Sequence, residues 1–185
     1  MLSSERFSPD THSAEEVVKA LRLQVLDQEG GYFRRTAESG LWVKPIAPNE
    51  ESIDSTRAYS LIYVLFTPDG FSALHRLRHD EIWCWHAGDP IESLRLYADG
   101  RGEWVGISDR VEDGGTLHNI VPADVWQGTR LKAGGRWALV SCIMAPEFLW
   151  RDFELAQPAE LTSAYPAFAA EIEALIRPEP MSGVK

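Results

Sequence analysis

Short apolar or alternating runs, separated by turn residues, fill the chain from Tyr32 to about Glu154. Alternation of apolar and polar residues is typical of strands with one buried face, and clusters of glycine and proline supply the backbone angles of tight connections. About nine such runs, with a turn roughly every 8–12 residues, predict a sandwich, jelly roll or barrel. The predicted strands are residues 32–37, 57–66, 72–77, 81–86, 92–97, 103–107, 117–121, 125–129 and 136–145.

Helical periodicity is confined to the two ends of the chain. Apolar side chains recur at helical spacing over residues 13–26, where Ser13 and Glu16 form a Ser-x-x-Glu capping box. A second apolar stripe follows Pro166 and predicts a helix of about 11 residues that packs on the sheet. This helix belongs to a helical tail over residues 158–177.

The pattern therefore predicts one mainly β domain over residues 1–185, with a barrel over residues 32–155 and a helix at each end. After Pro178 we expect disorder. The composition agrees with a folded protein, because 44% apolar and 25% charged residues are typical of globular chains.

The charge pattern narrows the range of partners. The chain has 28 acidic and 18 basic residues, and its formal net charge of −10 is spread evenly. Since no basic stripe exists to attract a phosphate backbone, nucleic acid is not expected as a partner. No apolar run approaches the roughly 18 residues of a membrane span, so we expect a cytoplasmic protein without a membrane partner. Cys84 and Cys142 lie in apolar, strand-like sequence and are interpreted as buried, reduced thiols.

Candidate catalytic and metal-binding residues are most concentrated in the middle of the chain, where three of the five histidines occur within twelve residues. Side chains two apart on a strand share a face, so Glu81 and Trp83 should point one way while His86 points the other. A turn near residues 78–80 would bring His75 and Glu81 together across neighbouring strands. An imidazole and a carboxylate in a cleft walled by indoles suit metal binding or proton transfer.

Residues 70–88 resemble the first motif of the cupins, which runs Gly, five residues, His-x-His, three or four residues, Glu, six residues, Gly. His75 takes the first histidine position, and Glu81 and Gly88 follow at the intervals of the motif. Leu77 stands where the second histidine belongs. The sequence thus keeps part of the cupin pattern and departs from it at one ligand position.

The second cupin motif is similar to the segment from Gly115 to Gln127, and Gln127 occupies the place of its last histidine. Over roughly residues 15–155 the chain looks like the fifth cupin family, which is known as a domain of unknown function. This resemblance implies a double-stranded β-helix, or jelly roll, commonly a homodimer, with a ligand pocket inside the barrel. Five blocks carry it, namely residues 29–34, 75–83, 86–90, 121–127 and 139–155.

A complete cupin site, with three histidines and a glutamate, would bind iron, manganese, nickel or zinc. This chain offers His75, Glu81 and Gln127 with one apolar replacement. Because lost donors weaken a metal site, a bound divalent metal is the alternative and not the preferred interpretation. His79 or His86 would be needed to restore the number of ligands, and by parity His86 faces away from Glu81.

Without a metal, His75 and Glu81 can act as an acid/base pair that abstracts a proton next to a carbonyl, as epimerases require. The predicted function is therefore binding of a small polar ligand, sugar-like or carboxylate-bearing, with isomerisation or epimerisation as the preferred activity. The rival is a non-catalytic binding, sensor or storage barrel. The predicted ligand contacts are Tyr32, Arg34, Ser72, Trp83 and Gln127, and the candidate phenolic acids are Tyr32, Tyr59, Tyr63 and Tyr97.

Overall fold

A computed structural model describes residues 6–26, 30–44 and 55–176 of the protein. The disorder expected after Pro178 lies outside these residues. The described chain forms three α-helices, α1 (Ala14–Leu21), α2 (Pro158–Ala164) and α3 (Ala169–Ala174). Its strands are β1 (Gln24–Val25), β2 (Tyr32–Glu38), β3 (Trp42–Val43), β4 (Thr56–Arg57), β5 (Ser60–Phe66), β6 (Ser72–Leu77), β7 (Glu81–Gly88), β8 (Ile91–Leu96), β9 (Gly102–Ile107), β10 (His118–Val121), β11 (Trp126–Leu131), β12 (Ala138–Met144) and β13 (Phe153–Leu155).

Two antiparallel sheets face each other across a shared core. The first has the order β1-β2-β5-β12-β7-β10 and the second has the order β13-β6-β11-β8-β9. Strands β3 and β4 form a separate ribbon. The predicted mainly β jelly roll is confirmed. Buried apolar residues of both sheets form one cluster between them, which includes Val64, Phe66, Trp83, Ile91, Ile107, Leu131 and Val140.

All nine predicted strands are present, although the predicted run 57–66 is divided into β4 and β5. The break has a local cause, because the backbone there bonds to a neighbouring loop. The N–H of Ala58 donates to the carbonyl of Leu41, and the N–H of Ser39 donates to the carbonyl of Tyr59. The short strands β1, β3 and β13 carry too few residues to show an alternating pattern, and the sequence did not predict them.

The N-terminal helix is shorter than predicted. Its capping box is formed as expected, since the Ser13 hydroxyl accepts from the N–H of Glu16 and the Glu16 carboxylate accepts from the N–H of Ser13. The helix ends at Leu21 because Arg22 adopts left-handed backbone angles, with φ 54°. The prediction that the helix continues to residue 26 is therefore wrong, and Gln24–Val25 pairs with β2 instead.

The C-terminal segment also differs in detail from the prediction. A single helix was expected after Pro166, whereas the structure has a 3-10 turn over Pro166–Phe168 followed by α3, with α2 before them. These elements pack on the outer face of the five-stranded sheet, as predicted. Leu161, Ile172 and Leu175 meet the sheet residues in one buried cluster, and the N–H of Leu74 donates to the carbonyl of Leu175.

The two sheets are covered on the outside by different elements. The C-terminal helices cover the five-stranded sheet, whereas α1 covers one end of the six-stranded sheet through Val17, which packs with Leu65 and Leu139. Across the described part of the chain, none of the helices has the length and apolar character needed to cross a bilayer.

Candidate functional site

Four buried side chains that carry hydrogen-bonding groups meet inside the barrel. His75 on β6 and Gln127 on β11 are register partners within the five-stranded sheet. Opposite them, Glu81 is the first residue of β7, and Cys142 lies on the adjacent strand β12. Each of these four residues is less than a tenth exposed. The predicted turn over residues 78–80 is present and separates β6 from β7, which lets His75 and Glu81 approach each other.

Hydrogen-bond donors surround the Glu81 carboxylate. Its Oε2 accepts from Gln127 Nε2 at 2.5 Å and from Trp83 Nε1 at 3.1 Å, and its Oε1 accepts from Cys142 Sγ at 2.6 Å. A buried carboxylate needs such donors because it has left water. Since its oxygens already accept three hydrogen bonds, Glu81 is suited to hold a negative charge in place.

His75 lies beside this carboxylate with its ring orientation fixed. Nδ1 is 2.8 Å from the carbonyl oxygen of Ala73, and a carbonyl can only accept, so the proton of the neutral ring is on Nδ1. Nε2 then carries the lone pair and lies 3.9 Å from Glu81 Oε2. This distance is too long for a hydrogen bond but short enough for the carboxylate to stabilise a protonated ring. Phe153 stacks on the imidazole, with ring centroids 5.0 Å apart.

A cavity of about 160 Å³ opens beside His75, Glu81 and Cys142. Its volume is below that of typical drug-sized sites, so it suits a small molecule. Arg35 contributes a positive charge to the wall, and its side chain is 42% exposed and paired with Glu38 at 3.3 Å. The described lining consists of Leu26, Phe33, Arg35, Ser60, Ile62, His75, Leu77, Glu81, Cys142, Met144, Phe148 and Trp150.

The structure places two of the predicted ligand contacts on the other face of β2. Tyr32 packs with the cluster beneath α1 and lines a separate surface cavity of about 770 Å³. Arg34 lies over the ring of Tyr63, with its guanidinium carbon 6.0 Å from the ring centroid. Their neighbours Phe33 and Arg35 line the cavity in their place. Successive side chains of β2 point to opposite faces of the sheet, so Phe33 and Arg35 face the cavity while Tyr32 and Arg34 face away from it.

The other predicted ligand contacts lie near the site without lining the cavity. Trp83 and Gln127 contact Glu81 through hydrogen bonds, so they act on the site through the carboxylate. Ser72 is buried near the start of β6, in register with Thr129, and its hydroxyl has no hydrogen-bond partner among the described residues.

None of the four candidate tyrosines is among the described residues of the cavity wall. Tyr59 is 42% exposed, Tyr63 lies on the outer face of the six-stranded sheet, and Tyr97 donates to Glu103 at 2.5 Å. Burial, followed by that hydrogen bond, raises the pKa of Tyr97. Cys142 is the S–H donor that lines the cavity instead. Its burial was predicted, and its alternation with Val140 on β12 is a signal that could have shown its inward position, but no pattern in the sequence indicates that it meets Glu81.

His86 faces away from Glu81, as its parity on β7 predicts. On the outer face of the six-stranded sheet it hydrogen-bonds the hydroxyl of Ser141 and meets the edge of the Tyr63 ring, with centroids 5.9 Å apart. Burial lowers the pKa of His86. This histidine therefore cannot restore the ligand missing at Leu77.

The donor set at this site does not fit a transition metal. No three His, Cys, Asp or Glu side chains within the described ranges are placed to hold a metal ion. Leu77 supplies an apolar wall where a second imidazole would be needed, and the Gln127 amide bonds to Glu81 and Trp83. Of the cupin motif positions, the His75 ring and the already bonded Glu81 would remain as ligands.

The family model described as the cupin superfamily (DUF985) matches residues 15–156. The chain belongs to this family. A hypothetical protein from Leishmania major is 35% identical to this cupin, with a TM-score of 0.80, and the match covers 90% of this chain and 100% of that one. A protein from Shewanella oneidensis is 28% identical, with a TM-score of 0.78 and coverage of 91% and 99%.

More distant cupins share the fold alone. A cupin 2 conserved barrel domain protein from Rhodopseudomonas palustris is 16% identical, with a TM-score of 0.50 and coverage of 84% of this chain and 86% of that one. No curated protein matches this chain. The comparisons therefore establish the family and the fold, and any reaction has to be argued from the side chains of the site.

Proposed function

We propose that this cupin isomerises or epimerises a small molecule that carries a carboxylate or is sugar-like, by moving a proton on a carbon next to a carbonyl group. The observation that carries the proposal is the placement of His75. Its Nε2 lone pair and the Glu81 carboxylate lie 3.9 Å apart on the wall of one small cavity. A base must reach the proton that it abstracts and must be stabilised once charged, and this arrangement supports both.

The proposed step begins when His75 Nε2 takes the proton from the carbon. The C–H electron pair moves toward the neighbouring carbonyl oxygen and forms an enolate, while Glu81 stabilises the imidazolium. Return of that proton to the former carbonyl carbon, with transfer of the hydroxyl proton of the first carbon to the enolate oxygen, gives isomerisation. For epimerisation, the Cys142 thiol delivers a proton to the opposite face of the same carbon, and the resulting thiolate regains a proton from the His75 imidazolium by way of Glu81, which is hydrogen-bonded to Sγ.

The cavity itself supports a small anionic substrate. Arg35 brings a positive charge to the wall, and arginine binds carboxylates well because its planar N–H groups match their geometry. The other walls are mainly apolar, including Phe33, Met144 and Phe148. Apolar walls strengthen the electrostatic interaction between His75 and Glu81 because they exclude water.

Proton exchange from substrate into heavy water tests this proposal. Short 2-oxo acids, 2-hydroxy acids and small sugars are incubated with the protein in D₂O, and loss of the C–H signal is followed by proton NMR. We expect exchange with at least one of these compounds, and we expect His75→Gln to slow it by about 10²- to 10⁴-fold.

His86→Gln is the matched control, because it makes the same substitution on the outer face of the six-stranded sheet, away from the cavity. It should leave the exchange rate unchanged. The proposal fails if His75→Gln exchanges as fast as the wild type, or if compounds that raise the melting temperature are bound without any exchange. The second result would favour the non-catalytic binding barrel, which the small, largely apolar cavity also suits.

A further inference from the structure

A second polar pair lies inside the barrel, away from the His75 cavity. Arg95 on β8 and Asn119 on β10 are each 7% exposed. In the register of the five-stranded sheet, Gln127 lies between His75 and Arg95, because it pairs with both. Neither Arg95 nor Asn119 is among the described residues that line the His75 cavity.

The hydrogen bonds of this pair are incomplete. Arg95 Nη2 donates to Asn119 Oδ1, which fixes the orientation of the amide. Arg95 Nε and Asn119 Nδ2 are both buried, and neither has an acceptor within the described ranges. Glu103, the register partner of Arg95 on β9, accepts from the hydroxyl of Tyr97, which is itself a hydrogen-bond partner of Arg95. The pair therefore holds one buried positive charge and two N–H groups without acceptors.

These features indicate which chemical groups a ligand of this pair must carry. Both unsatisfied atoms are donors, so the partner must supply acceptors, and a buried guanidinium requires a counter-charge. A carboxylate provides both, since its two oxygens can accept from Arg95 Nε and Asn119 Nδ2 together. Both donor atoms are closed to solvent in the ligand-free protein, so a ligand must be small and reaches them only when neighbouring side chains move. We propose that Arg95 and Asn119 form a carboxylate-binding subsite inside the barrel.

Two residues mark the route to this subsite. Tyr97 is the other hydrogen-bond partner of Arg95, and its hydroxyl donates to the exposed carboxylate of Glu103. Glu103 is the register partner of Arg95 on β9. Glu103 is exposed, so this side of the subsite lies nearest to solvent. The subsite does not depend on proton transfer at His75.

Acetate and its neutral isostere acetamide test the subsite. Each is titrated into the full-length protein at constant ionic strength, and binding is measured by calorimetry and by the melting temperature. We expect acetate to bind and acetamide not to bind. Arg95→Gln should weaken acetate binding at least tenfold, whereas Arg130→Gln, which changes an arginine paired with Glu92 and half-exposed at the surface, should not.

Asn119→Asp keeps the test decisive if Arg95→Gln folds poorly. The new carboxylate lies next to the guanidinium, so this variant should melt at a higher temperature than the wild type without ligand and should no longer respond to acetate. His75→Gln should bind acetate normally, which separates this proposal from the proposed proton transfer. Equal binding of acetamide, unchanged acetate binding by Arg95→Gln, or tighter binding of inorganic phosphate than of acetate would each overturn the assignment.

Discussion

The barrel interior contains two buried polar clusters that differ in how their charges are satisfied. In the first cluster, Trp83, Gln127 and Cys142 all donate hydrogen bonds to the Glu81 carboxylate. Around Arg95, the partners are the Asn119 amide oxygen and the Tyr97 hydroxyl, and two donors, Arg95 Nε and Asn119 Nδ2, remain without acceptors in the described structure. A satisfied buried network is rigid and holds its members in place, whereas an unsatisfied one is costly until something binds. The first cluster is thus built for fixed geometry and the second for an incoming group.

The largest expected effect comes from removing the acceptor of the first cluster. Glu81→Ala removes the acceptor that three buried donors share, although Trp83 keeps its bond to Gln127 Oε1, and it opens space beside His75. Each unsatisfied buried donor costs about 1–3 kcal/mol, so we expect the free energy of unfolding to fall by roughly 3 kcal/mol or more. Urea denaturation measures this change.

Glu154→Ala is the control for that experiment. Glu154 on β13 pairs with Arg76 at 2.8 Å, but its side chain is 54% exposed. Exposed ion pairs contribute about 0–1 kcal/mol, so the two glutamate variants should differ clearly. A loss at Glu81 no larger than the loss at Glu154 would contradict the view that the first cluster is a tightly satisfied network.

A smaller effect of opposite sign is expected at the second cluster. The double substitution Arg95→Met with Asn119→Leu removes the buried charge and both unsatisfied donors while keeping similar volumes. Replacing a buried charged network with apolar residues is often neutral or stabilising by about 1–4 kcal/mol, and we expect a gain near the lower end because the packing is new. Denaturation in ligand-free buffer measures it. A clear loss of stability would mean that Arg95 is already satisfied without a ligand.

The smallest expected effect is a change in the pH dependence of stability, and it concerns His86 on the outer face of the six-stranded sheet. Burial lowers the pKa of His86 in the folded protein, so the unfolded chain takes up a proton at a higher pH than the folded one. Stability should therefore be constant well above the unfolded pKa of about 6.5 and should decline as the pH falls from there through the folded pKa of His86.

The variant His86→Gln should remove part of this decline, and the matched variant His118→Gln, an exposed histidine on the same sheet face, should not. Melting temperatures between pH 8 and pH 5 are a sufficient measurement, with the pH range set by the imidazole pKa of about 6.5. An identical pH profile for the wild type and His86→Gln would remove His86 as the cause.

Most of the fold could be predicted from the sequence because turn residues bound every long strand and the strands alternate. The meeting of His75, Glu81 and Gln127 was also predictable from the cupin motifs, but His75 and Glu81 lie on strands of facing sheets and not, as expected, on neighbouring strands. The face presented by β2 was not predictable. The strand is mixed in polarity on both faces, so Arg34 and Arg35 are equivalent in pattern, and only the pairing with β5 decides which of them faces the interior.

The second cluster could not be found from the sequence for a different reason. On β8, Leu94 and Leu96 are fully buried, but they lie under the C-terminal helices, on the outer face of the sheet. A strand covered on both sides has apolar residues facing both ways, so hydrophobic pattern alone would place the leucines inside the barrel and Arg95 outside. The homodimer and the cytoplasmic location stay predictions.

The strand order has a consequence for how the chain folds. β12 lies at the centre of the six-stranded sheet, between β5 and β7, although it is the last of that sheet's strands to be synthesised. The pairs β2 with β5 and β7 with β10 can form early, but they stay separate until β12 joins them. Pairing over such long sequence separations slows folding and prolongs the exposure of strand edges. Because Cys142 arrives with β12, the His75 cavity is completed only when this sheet closes.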